Sequence, residues 1–273
     1  MLPPLCIRYA GKSMALAEVT PLQALLLVAV VYACIELAQY GIKQMRLRPF
    51  ILELRRQQLP YYATLSLVQQ KQFEKRVANF ILQKSFVARG SGFTVTTPMK
   101  VRIAASAVQL TFGLRPVYFS HFKTLLVYPD RYYSTIFKRY HCGEVNMRGY
   151  IVLSWADFEN GYSNATDGFN LGLHEMAHAL HLENVIRNNE YDFLDREHLQ
   201  VWNNLSKSEM QQQRYTQSGF IRQQACHDEH EFFAVCVESF FERSHEFRLS
   251  NPLLYDAMSQ LLQQDPARRV YQL

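Results

Sequence analysis

The chain is poor in cysteine, in charge and in long apolar runs, and each shortage removes a class of protein. Five cysteines (Cys6, Cys34, Cys142, Cys226 and Cys236) occur among 273 residues. Their number is odd, none forms a C-x-x-C pair, and the chain is not small. A disulfide framework is therefore not expected, and a reducing compartment is. Charged residues make up 19% against 48% hydrophobic, so global disorder is excluded and either one large domain or two small ones can form. The net charge of +5 is modest. It gathers in the first ninety residues, at Lys43, Arg46, Arg48, Arg55, Arg56, Lys71, Lys75, Arg76, Lys84 and Arg89. There is no basic stripe with interleaved aromatics and no known nucleic-acid module, so no nucleic-acid partner is expected. No internal repeat is visible.

The unbroken apolar part near the N-terminus, Ala24 to Ile35, is short for a membrane span. With Gln23, Glu36 and Gln39 included it reaches about 20 residues, roughly 30 Å of helix, which is enough to cross. Residues 21–42 are thus expected to be a transmembrane or membrane-anchor helix, after a tail over 1–20 without periodicity. A cleaved signal peptide and a buried amphipathic helix are the rival readings. Arg8 and Lys12 flank one side, and a basic connector helix over 43–56 flanks the other. The positive-inside bias leaves the C-terminal bulk in the cytoplasm, at the inner membrane; a wholly cytoplasmic protein is the alternative.

Further along, Ser66 with Gln69 forms a capping box, and Phe73, Val77, Phe80 and Ile81 mark one face of a helix running to about Lys84. Lys100 to Gly113 reads as a second helix. Lys123 to Tyr128 and Tyr150 to Trp155 read as buried strands, with Gly143 and Gly149 as turn signals between them. Asp195 to Leu205 and Glu231 to Glu242 read as helices, the latter buried because it is apolar nearly all round. Asn251-Pro252 opens a last helix that Asp265-Pro266 stops.

The chemistry gathers at His174-Glu175-Met176-Ala177-His178. On a helix, positions four apart lie one turn above each other, so two imidazoles can share one tetrahedral zinc ion. Glu175 can then reach a metal-bound water as general base. Leu171, Leu173, Met176, Ala177 and Leu180 make the helix apolar, and two His and a Glu are costly to bury there without a shared partner. Asp167 or Asn170 can cap its start, and Gly168 suits a tight entry. A third ligand is required, and Glu231, Glu238, His227, His230 and His181 are the candidates. Glu231 and Glu238 are seven apart and share a helix face, so one can bind metal while the other orients a ligand. His181 sits one turn beyond His178, in a supporting or surface role; His227 and His230 precede the helix as capping or surface residues.

Several ordered segments carry a family resemblance. They are Gly168-Phe169-Asn170-Leu171 running into His174-Glu175-x-x-His178, Ile151-Val152-Leu153-Ser154-Trp155 upstream, Glu231-Phe232-Phe233-Ala234-Val235 with Glu238 downstream, and Leu254-Tyr255 with Gln264-Asp265-Pro266 near the end. Over roughly residues 57–266 the chain resembles the Mlc titration factor A family, zinc peptidases of the gluzincin type. The resemblance implies an α+β, zincin-like domain over 57–266, mostly helical with a small sheet, preceded here by one apolar helix and followed by a short tail over 267–273. It implies one Zn2+ held by His174, His178 and Glu231, with Glu175 as base and Glu238 behind the ligands. It also implies weak aminopeptidase-like activity on a peptide or protein substrate. A strand near Tyr150–Trp155 would border the cleft and hold an extended peptide by strand addition. For the founding member it implies binding of a transcriptional repressor, so the rival function is a membrane-tethered protein that sequesters a regulatory partner. Two departures stand out. The family's usual tyrosine seven residues before the third ligand is Gln224 here, and losing such an oxyanion donor costs about 10²–10³ in rate unless Gln224 or Tyr215 substitutes. The anchor, too, is absent from the founding member.

Overall fold

The computed structural model describes residues 20–134, 138–213 and 220–268. Arg8, Lys12 and Tyr215 lie outside them, as do most of the N-terminal tail and part of the C-terminal one. The chain forms two compact units, residues 1–46 and 47–273.

Helix α1 begins at Pro21 in the first unit and ends at Gln57 in the second, so the apolar segment and the basic connector belong to one helix. Leu22, Leu25, Leu26, Val28, Val31 and Ile35 are all exposed. The most apolar stretch has a mean hydropathy of 2.0, none of it is buried, and its length and composition suffice to cross a membrane.

The second unit is α+β and mostly helical, as expected. Leu47 and Leu54, from the end of α1, are buried in it. A short turn of helix, α2 (Pro60–Ala63), leads to α3 (Leu67–Gln83), where Ser66 and Gln69 form the capping box. Strand β1 (Ser85–Ala88) follows, then α4 (Thr97–Thr111) and β2 (Thr124–Tyr128). Next come β3 (Tyr132–Ser134), β4 (Arg139–His141), β5 (Gly143–Asn146) and β6 (Tyr150–Ser154). The remainder is helical: α5 (Trp155–Ser163), α6 (Leu171–Val185), α7 (Arg196–Gln213), α8 (Glu229–Glu242), α9 (Ser244–Ser250) and α10 (Pro252–Leu262).

The main sheet has the order β1-β2-β6-β5. β1, β2 and β6 run parallel, and β5 lies antiparallel to β6 with Gly143 opposite Leu153. β3 and β4 form a separate antiparallel ribbon. Leu125, Val127, Ile151 and Leu153 on the central strands are buried in the same core as α4, α6 and α8. β6 is buried from Ile151 to Ser154, and a continuous apolar run is what such a strand requires, whereas β2 alternates buried Leu125 and Val127 with half-buried Leu126.

One expectation needs correction here. The strand beside the cleft is not β6, which is paired on both sides, but β5, the sheet edge. The glycines that read as turn signals, Gly143 and Gly149, bracket a short strand of sequence GEVN. Its polar composition hides the strand, because β5 has one side facing the cleft rather than the core.

Candidate metal centre

Helix α6 presents the His-Glu-x-x-His face. Its entry uses Gly168, whose φ of +76° is open to glycine at little cost, and an N-cap by Asn170, whose side chain accepts the Leu173 N–H at 3.0 Å. Asp167 accepts the Phe169 N–H one step earlier. α6 packs along α8, and this contact brings the two halves of the site together.

His174 Nε2 lies 3.1 Å from His178 Nε2. The two carboxylate oxygens of Glu231 lie 3.4 Å from His174 Nε2 and 3.3 Å from His178 Nε2. One donor atom from each of the three residues falls within 4.8 Å of the others, so they can hold a metal ion. The donor set, two imidazoles and a carboxylate, is the one that suits Zn2+ with a position left for water. Burial opposes charge on His174, but hydrogen bonds to Glu231 and Glu238 outweigh it and hold the imidazole up at about 10. The same hydrogen bonds from His174 and His178 push Glu231 far below the usual carboxylate range.

Glu238 is the buried counterpart. It accepts from His174 Nδ1 at 2.8 Å, from an Arg222 amino group at 2.6 Å and from the Asn170 N–H at 2.6 Å. A carboxylate on Nδ1 fixes the tautomer and leaves Nε2 as the ligand atom. Arg222 also donates to the Gly168 carbonyl at 2.5 Å and lies 4.1 Å over the ring of Phe169. Arg222 was not legible as a site residue. Its only signal was that a carboxylate on a buried helix face requires a positive partner.

Glu242, one turn beyond Glu238, accepts from Asn170 Nδ2 at 2.9 Å and from the Gly168 N–H at 3.1 Å. Burial nevertheless raises its carboxyl to about 7. Because the folded protein holds this proton more tightly than the unfolded chain does, the group's stabilisation is complete at acid pH and is lost as pH rises towards 7. Glu242→Gln should therefore flatten the fall in melting temperature between pH 5 and 7.5, read by calorimetry. An unchanged slope would show that Glu242 does not titrate there. The lost hydrogen bond lowers stability at every pH, so the slope isolates the ionisation.

Glu175 is buried, at 5% exposure, and burial raises its carboxyl above the ordinary range. It lies directly on the backbone of β5: a Cβ added to Gly143 would stand 2.3 Å from Glu175 Oε1. The cleft, about 350 Å³, is lined by Arg139, His141, Gly143, Glu144, Val145, His174, Glu175, His178, Leu182, His230 and Glu231. Above it, Tyr132 stacks on Tyr128 and places its hydroxyl 3.4 Å from Glu144.

Of the remaining sequence candidates, His181 does not line the cleft. Its ring meets that of His230 at 4.4 Å between centroids, and burial pushes it down to about 4. Gln224 lies exposed on the 3-10 turn over Gln223–His227 and is not among the cleft-lining residues. Among the described residues, the side-chain donors lining the cleft besides His174 and His178 are Arg139, His141 and His230.

A helix bearing His-Glu-x-x-His, a carboxylate delivered by a second helix and a strand edge alongside define a metallopeptidase-like protein. The family model described as Glucose-regulated metallo-peptidase M90 matches residues 36–263, and the chain belongs to that family. It is 28% identical to the uncharacterized protein slr2042 of Synechocystis sp. over 73% of this chain and 78% of the relative. It is 27% identical to Mlc titration factor A of Klebsiella pneumoniae over 78% of this chain and 85% of the relative. The Escherichia coli protein of that name is 26% identical over 78% and 86%.

Proposed function

We propose that the chain is a zinc-dependent peptidase of the gluzincin type, anchored by α1 in the inner membrane with its catalytic unit in the cytoplasm. The observation that carries the reading is the convergence of His174, His178 and Glu231 beside a buried Glu175. His174, His178 and Glu231 would hold the metal, which when bound supplies a Lewis acid and a water of lowered pKa. Glu175 would act as general base, its carboxylate taking a proton from the attacking water and returning it to the leaving amine. Burial raises its proton affinity, the direction a general base requires. Glu238, backed by Arg222, keeps His174 in register. The β5 edge pairs with no described strand on its cleft side, so its main chain can receive an extended peptide. Arg139 and His141 offer donors to the developing oxyanion in place of the family tyrosine.

The test is zinc content and peptide hydrolysis of the full chain in detergent, before and after chelation, beside Glu231→Ala. The wild type should carry about one zinc in this cluster and lose turnover with it, and Glu231→Ala should bind zinc at least tenfold more weakly. Wild-type hydrolysis that survives complete removal of zinc would sink the proposal. A second reading, a tethered protein that sequesters a regulatory partner with vestigial activity, draws on the name of the titration-factor relatives and on Gln224 lying outside the cleft. Zinc bound without any peptide cleavage is its expected signature.

A further inference from the structure

We infer that His181 and His230 form a second transition-metal site at the rim of the cleft, separate from the His174–His178–Glu231 cluster. The two imidazoles come from different helices, α6 and α8, so their meeting is not a by-product of spacing within one helix. Their rings are 4.4 Å apart and inclined at 73°. Among the described residues neither ring makes a hydrogen bond or an ion pair, whereas His174 and His178 are both engaged. Two unengaged imidazoles in contact are a ready chelate. His230 is exposed, so its ring can turn until nitrogens of both rings lie about 2 Å from one ion. Neutral imidazoles select Zn2+, Cu2+ or Ni2+ over Mg2+ or Ca2+, and water completes the coordination.

The position gives this site a consequence. His181 lies three residues after His178, about 4.5 Å along the helix axis, and His230 adjoins Glu231 and lines the cleft. An ion there narrows the entrance beside the first cluster. Excess zinc therefore inhibits, while the first equivalent supports hydrolysis. Only this activity arm rests on the function proposed above.

The experiment is a Zn2+ titration of the full chain against a chromogenic chelator, with zinc per chain counted after equilibrium dialysis. The wild type should bind one zinc tightly and a second more weakly. His181→Ala and His230→Ala should each keep the tight site and weaken the second at least tenfold, while His174→Ala loses the tight site and keeps the weak one. Inhibition by excess zinc, scaled to each protein's own activity at one equivalent, should be relieved in His181→Ala. Saturation of the wild type at one zinc would overturn the inference, as would a weak site untouched by both His181→Ala and His230→Ala. Two sites that respond as expected in a protein that cuts no peptide would support this inference and defeat the peptidase reading.

Discussion

Glu175→Gln should lower peptide turnover by about 10²–10⁴ while leaving zinc content unchanged. A loss of that size corresponds to about 3–5 kcal/mol of transition-state stabilisation. The separation of effects follows from the geometry. Glu175 does not belong to the His174–His178–Glu231 cluster, so metal should stay. Glutamine has nearly the same shape, so the contact with Gly143 is kept, yet it cannot take a proton from water. The substitution also removes a buried carboxylate whose ionisation burial opposes, so thermal stability should hold or rise. Full turnover in Glu175→Gln would move the base elsewhere. Loss of zinc would make Glu175 a support of the metal cluster rather than the base.

Gly143→Ala should be nearly as damaging, from a position that reads in the sequence as a turn. The added methyl would stand 2.3 Å from Glu175 Oε1 and 2.5 Å from its Cδ. To reach an ordinary contact distance the carboxylate must retreat by about 1 Å. A displacement of that size at a reacting group costs about 10² in rate. Zinc binding should be intact, because the three atoms nearest the new methyl all belong to Glu175. A double-mutant cycle with Glu175→Asp distinguishes the clash from general damage to the edge strand. The shorter side chain withdraws from Gly143, so the alanine should cost far less in the Asp background than in the Glu one. Equal costs in both backgrounds would place the effect in β5 itself.

What was legible in the sequence was whatever one element declares by itself. The capping box at Ser66 and Gln69, the apolar runs of β2 and β6, and the near-continuous apolar face of α8 are local patterns, and each formed as read. α7 extends to Gln213, well past the reading that stopped at Leu205, because beyond that residue Met210 alone continues the apolar face of Leu199 and Trp202. α5 has no counterpart in the sequence reading, which runs the strand one residue too far, to Trp155; Ser154, which ends β6 and accepts the Asp157 N–H as the helix cap, is the unrecognised boundary. The candidate site divides the same way. The two candidate ligands and the candidate base share one helical turn and announce themselves, and Glu238 could be expected from its spacing to Glu231. Arg222, Gly143 and the pairing of His181 with His230 arise only when α6, α8 and β5 meet, and no local pattern encodes that meeting.

On the proposed function, the edge of β5 left unpaired among the described strands bears on which proteins the cleft would accept. A strand edge reads main-chain N–H and C=O groups, and in a folded protein nearly all of these are already spent on helix or sheet. Side-chain identity would then matter less than whether a segment can surrender its own hydrogen bonds. Frayed termini and loops open at almost no cost, whereas core helices open only near global unfolding. Susceptibility should thus track a partner's local unfolding free energy, and the same sequence could be resistant in its folded parent and cut when destabilised.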